Sequence, residues 1–177
     1  MNDIFTLLSE VLISEFAAQG ITVRVTQSYG DLPPALEQEP LFILRHLATE
    51  RVGWQSRQAR RQAMKAEIVE AQRVAETIGV SVRLPTAWSG EGAAGKPDAI
   101  GLLTTASLFV QGQPMLDAAN AASIGVQAVK TLTSSYIQNE QKQWENLPGF
   151  ELTLCHTLTL SRDVNAVEHF TNGIYPL

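Results

Sequence analysis

The sequence predicts an α+β domain in which an antiparallel or mixed β-sheet is flanked by an N-terminal helix and one or two mid-chain helices. Three observations predict it. Apolar residues near the start recur at helical spacing, whereas those of 68–84 and 150–160 keep the parity of a strand. The inferred order is helix, several strands, helix, then more strands, without the regular strand–helix alternation that a doubly wound parallel sheet requires.

Residues 4–18 read as an amphipathic helix, because Ile4, Leu8, Val11, Leu12 and Phe16 share one face. Asn2 or Asp3 can cap its start, and Gly20 supplies a left-handed stop. "ITVRVTQS" then alternates, with Ile21, Val23 and Val25 opposite Thr22, Arg24 and Thr26. "YGDLPPALEQEP" is a turn-rich connection, since adjacent prolines deny donors to a central strand. Residues 41–55 are β-prone, and the polar stretch that follows reads as a long hairpin loop, partly helical, over 56–66.

Residues 67–84 begin with helix-favouring composition. Ile68, Val74, Ile78, Val80, Val82 and Leu84 nevertheless share one parity, which predicts a strand. "SGEGAAGKP" (89–97) reads as a mobile loop, and Asp98 as the cap of a helix over 99–110. Pro114 opens a second helix at about 115–121, and 124–132 returns to β pattern. Residues 136–145 read as a hairpin link whose Trp144 packs back on the sheet or a neighbour. Pro148 and Gly149 then lead into a core strand over 150–160, and 163–177 forms a C-terminal arm. The whole chain, 1–177, is expected to be one domain of this kind.

Composition narrows the function. The chain has 45% hydrophobic and 18% charged residues, an ordinary globular balance. A net charge of -5 argues against a dedicated nucleic-acid binder. One cysteine excludes an internal disulfide, no apolar run is long enough to span a bilayer, and Met1-Asn2-Asp3 lacks the basic lead of a signal peptide. The expectation is a protein used in the cytoplasm or in an assembly.

Candidate chemistry is weak. Cys155 and His156 are neighbours in a strand, so their side chains diverge and cannot share a proton. His156 falls in the row Phe150, Leu152, Leu154, Leu158, Leu160, which favours a satisfied core or interface histidine over a catalyst. Cys155 reads as a small filler in the opposite, threonine-rich row. His46, His156 and His169 have no metal-site spacing, and the glycines of 89–95 lack the Lys-Ser/Thr ending of a phosphate loop. No catalytic, cofactor or metal residue is therefore expected. The one local charge anomaly is Arg57, Arg60, Arg61 and Lys65, which is either a solvated loop or an electrostatic dock for an acidic surface or nucleic-acid phosphates.

The C-terminal third carries a resemblance. "DAIGLLTTASLFVQGQPML" and "SSYIQNEQKQWENLPGFELTLCHTLTLS", with the final "GIYPL", resemble the neck and tail-terminator proteins of tailed bacteriophages. The features fall on Asp98, Ala106, Phe109, Gly125, Asn139, Trp144, Glu145, Pro148, Phe150, Glu151 and His156. Gly149 and Glu151 stand where that pattern has Ser and Asp, and Leu147 precedes the proline. The resemblance implies a tail-terminator-like fold and a structural virion protein. The alternatives are another head–tail joining or neck-completion protein and, behind it, a small α+β ligand-binding domain or enzyme, against which the lack of a catalytic constellation counts. The resemblance also implies a ring of its own copies, usually a hexamer, at the head-proximal end of the tail. Its implied partners are the tail tube protein, the neck or head-completion (collar) proteins and, in contractile tails, the sheath. DNA would pass through the lumen without sequence-specific binding, and no membrane is involved.

Overall fold

A computed structural model describes residues 2–28, 38–62, 65–85, 88, 96–138 and 144–165; for 2–3, 60–62, 65–66, 134–138, 144–146 and 164–165 it describes the backbone alone. The elements run α1 (Asn2–Ala18), β1 (Arg24–Gln27), β2 (Leu41–Gln62), β3 (Lys65–Arg83), α2 (Ala99–Phe109), α3 (Gln113–Ala121), β4 (Gly125–Val129), β5 (Thr133–Gln138) and β6 (Trp144–Asn165). The expected α+β class is what the chain adopts. One six-stranded sheet has the order β1-β2-β3-β6-β4, with β5 also paired to β6. It is mixed, because β1 lies parallel to β2 while β4 and β5 lie antiparallel to β6.

The chain divides into two compact units: Met1–Glu50 with Ala75–His156, and Arg51–Val74 with Thr157–Leu177. In the first unit the even-numbered face of the sheet meets the helices. Phe42 and Leu44, Ile78, Val80 and Val82, and Phe150, Leu152 and Leu154 are all buried in one cluster with α1, α2 and α3. The predicted helix face is there, since Ile4, Leu8, Val11, Leu12 and Phe16 are buried. Phe16 anchors the layer, with its ring 5.2 Å from that of Phe42 and 5.0 Å, edge-on, from that of Phe109. Fully burying each such side chain is worth about 1.5–3 kcal/mol. The opposite face holds a much smaller cluster of Leu41, Ile43 and Leu147.

Local signals set the helix ends. Gly20 has φ +75°, and the Ile21 amide donates back to the Phe16 carbonyl at 3.0 Å, closing α1 as a left-handed cap. Asp98 accepts the Gly101 amide at 2.7 Å, so it caps α2 as expected, and Pro114 sits in the first turn of α3.

Three expectations are corrected. Residues 56–66 are not a long loop, because β2 continues to Gln62 and β3 begins at Lys65. The polar composition misled: residues 51–59 are all exposed, and a ribbon wet on both faces needs cross-strand pairing but no apolar alternation. The hairpin link expected over 136–145 is shorter than that, and residues 139–143 lie outside the described residues. The two ends of that span belong to β5 and β6, which pair from Thr133↔Gly149 to Gln138↔Trp144, with Pro148 opposite Ser134 inside the ladder. Finally, the core row of β6 stops at Leu154, since Leu158 and Leu160 are 51% and 62% exposed. Most of the loop at 89–97 and of the arm at 163–177 lies outside the described residues.

Candidate functional site

The most buried polar group among the described residues is Glu76, at 5% exposure. It lies in the even row of β3 between Val74 and Ile78, and β2 and β6 bring an imidazole to it from either side. His46 Nε2 is 2.9 Å from Glu76 Oε2, and His156 Nε2 is 3.2 Å from Oε1. Thr49 also donates its hydroxyl to Oε2 at 3.3 Å and lies 2.9 Å from His46 Nε2. With each Nε2 carrying a proton, both imidazoles donate to the carboxylate, which removes the cost of burying it bare. The signal for this cluster was present. In each of three strands one ionisable residue (His46, Glu76, His156) interrupts an apolar row of the same parity. Parity alone does not say which strands are neighbours, so the sequence reading found His156 without its acceptor.

Cys155 and His156 diverge as argued. Cys155 is buried and donates to Gln127 Oε1 at 2.7 Å, while His156 turns to Glu76 on the other face. Among the described residues no group of three His, Cys, Asp or Glu is placed to hold a metal ion. An open cavity of about 510 Å³ is lined by Gln19, Thr22, Glu39, Trp88 and Lys96. Trp88 donates its indole N–H to the Pro97 carbonyl at 2.9 Å, and Lys96 Nζ lies 4.6 Å above its ring.

The second unit gathers charge. Glu70 Oε1 takes Arg162 Nη2 at 3.2 Å and Arg57 Nε at 3.7 Å, and Oε2 accepts from Gln55 at 3.2 Å. Arg57 is therefore a strand residue with an acidic partner on its own unit. The side chains of Arg60, Arg61 and Lys65 lie outside the described residues. Trp54, not singled out from the sequence, is 98% exposed on the same ribbon.

The residues of the resemblance are placed structurally. Asp98 caps α2, Ala106 is fully buried, and Gly125 opens β4 opposite Cys155. Phe150 is 2% exposed. A Cβ on Gly149 would stand 2.8 Å from the Val80 carbonyl oxygen, so the close approach of β3 leaves no room for the Ser of the pattern. Glu151 pairs with Lys130 at 2.6 Å. The hydrogen bond and charge of Glu151 push the Lys130 ammonium pKa up, against a small opposing effect of desolvation and with some help from Glu50. The stabilisation is thus fully present below the ordinary lysine range and is lost as pH rises through the raised value. Both groups are exposed, so the pair contributes little. Trp144 and Glu145 lie in β6 opposite Gln138 and Ile137, their side chains outside the described residues, as is all of Asn139.

Comparison with known families decides the class. A family model described as E217 gateway protein gp29 matches residues 3–166, which takes in every helix and strand described apart from the first residue of α1. The chain belongs to this gateway family. The expectation of a phage structural protein, a virion component concerned with joining head to tail, holds at that level. The tail-terminator assignment is finer than the match. No curated protein matches the chain, and none of its described helices is long and apolar enough to cross a membrane.

Proposed function

We propose that this gateway-family chain is a structural, non-enzymatic component of the phage neck. In this reading it forms a closed ring of its own copies, a hexamer, at the head-proximal end of the tail. The ring ends tube polymerisation, contacts the sheath where the tail is contractile, and offers the attachment surface for the collar and head-completion proteins. DNA passes through its lumen. The observation that carries the reading is the match of residues 3–166 to a gateway protein model. The structure is in keeping with it, because the distinctive residues Asp98, Gly149, Phe150 and His156 each serve a cap, a close backbone approach, the core or a buried hydrogen bond.

A second reading, a head–tail joining protein that does not stop the tube, is favoured by the word gateway in the matched description. Electron microscopy of a lysate from phage lacking the chain separates the two. Tails of uncontrolled length support termination, and unjoined tails of normal length support joining alone. Joined tails of normal length would overturn both.

A further inference from the structure

Charge is distributed very unevenly between the two units. Met1–Glu50 and Ala75–His156 hold fourteen Asp and Glu against six Lys and Arg. Residues 51–74, the β2–β3 ribbon of the second unit, hold six Lys and Arg against two Glu. A chain of net charge -5 thus carries a basic ribbon and an acidic body. The ribbon also exposes apolar surface, since Trp54 is 98% exposed, a side chain of about 200 Å².

The body offers a matching face. No charged residue occurs from Ala99 to Leu116, a stretch that includes all of α2. Ile100, Thr104 and Leu108 follow one another at four-residue spacing along its outer side, with Ile100 49% and Leu108 64% exposed. The polar side chains nearby are spent on their own helix: Thr104 donates to the Ile100 carbonyl at 2.8 Å, Ser107 to Thr104 at 2.7 Å and Gln111 to Ser107 at 2.7 Å. The stripe therefore presents little unsatisfied polarity, as the centre of a protein interface does.

We propose that the basic ribbon of one copy docks on the acidic body of a second copy, with Trp54 seated on the Ile100–Thr104–Leu108 stripe of α2. The contact names the neighbour-to-neighbour surface of the ring proposed above and rests on that reading. It joins two different patches, so it is heterologous and can close by rotation. Opposite charge steers the approach, and the aromatic anchor supplies most of the affinity. Duplex DNA is the weaker occupant. Its phosphates would satisfy free arginines but leave Trp54 in water, and Arg57 and Arg162 are already held by Glu70.

Analytical ultracentrifugation of the purified full-length chain tests this with Trp54→Glu and Leu108→Glu, both at exposed positions, and with Trp54→Ala and Leu108→Ala as milder forms. Circular dichroism melts check that each variant folds. The wild type self-associates, and each Glu variant alone weakens association at least about 30-fold. An equimolar mixture of the two Glu variants recovers a one-to-one dimer, because one intact ribbon meets one intact stripe. A monomeric wild type, no dimer in the mixture, or wild-type association by either variant would overturn the contact. So would duplex DNA binding that Trp54→Glu abolishes while self-association persists. Failure here is separable from failure of the neck reading. Normal tails from Trp54→Glu phage beside defective tails from the deletion phage remove this contact alone.

Discussion

A buried carboxylate between two imidazoles is the residue on which the first unit's sheet is most exposed to a single change. Glu76 accepts from His46, His156 and Thr49, so truncation removes three bonds and leaves their donors facing a void. Glu76→Ala should lower the unfolding free energy by about 1.5–3 kcal/mol in urea titration. Glu76→Gln keeps one acceptor oxygen but turns an NH₂ toward an imidazole, so its loss should be smaller. Equal stability of Glu76→Ala and wild type would show that the bonds contribute nothing. Gly149 is the second such position, because an added methyl meets the Val80 carbonyl oxygen at 2.8 Å between packed strands. Gly149→Ala should cost about 1–3 kcal/mol by overpacking, read from the shift of the same urea midpoint. The sequence announced these two sites unequally. Strand parity separated Cys155 from His156 without coordinates, whereas the need for glycine at 149 depends on how closely the Val80 backbone of β3 lies beside it, which no local pattern encodes. Arg57 teaches a related caution. Reversing its charge sets an acid beside Glu70, so any loss of docking in Arg57→Glu would be mixed with the loss of that pair.

At the level of elements, boundaries written in capping chemistry were legible and boundaries set by pairing were not. α1 ends at a left-handed glycine and α2 begins at an aspartate whose carboxylate takes the Gly101 amide. Both ends follow from short-range chemistry that the sequence displays. Asp98→Ala should therefore cost about 1 kcal/mol, and Asp98→Asn or Asp98→Ser should restore most of it. If all three variants melt alike, the cap has no such role. The strands behave otherwise. β2 runs through "SRQARRQ" although that stretch has no apolar alternation; at its start Ser56 donates to the Ala71 carbonyl and Arg57 pairs with Glu70, and just before it Gln55 donates to Glu70 and Gln72 to the Val52 carbonyl. β6 likewise begins six residues before the alternation of 150–160 because β5 is there to pair with it. Cross-strand partners lie tens of residues away in sequence, and composition carries no record of them.

For the whole molecule, the division into an acidic, well-buried body and a basic, solvent-washed ribbon predicts two regimes of backbone protection. The body buries Phe42, Ile78 and Leu152 beneath three helices, so their amides should exchange only through global opening. Residues 51–59 are exposed along their length, and their hydrogen bonds have no apolar cover. In the free chain their amides should exchange much faster than those of the body, through local openings of low cost. Assembly should invert part of that contrast. A neighbour docked on the ribbon adds its binding free energy to every opening that requires undocking, so exchange over 51–59 should slow in proportion to occupancy while the amides of Phe42 and Ile78 change little. Because the attraction is partly between opposite charges at a surface, the added protection should fade as salt is raised past the range where the screening length falls to a few ångströms. Hydrogen-exchange mass spectrometry of the free chain and of purified tails, at low and high salt, reads all of this from one set of peptides. Ribbon peptides that exchange equally fast in both states would mean that the ribbon is not the surface by which copies meet.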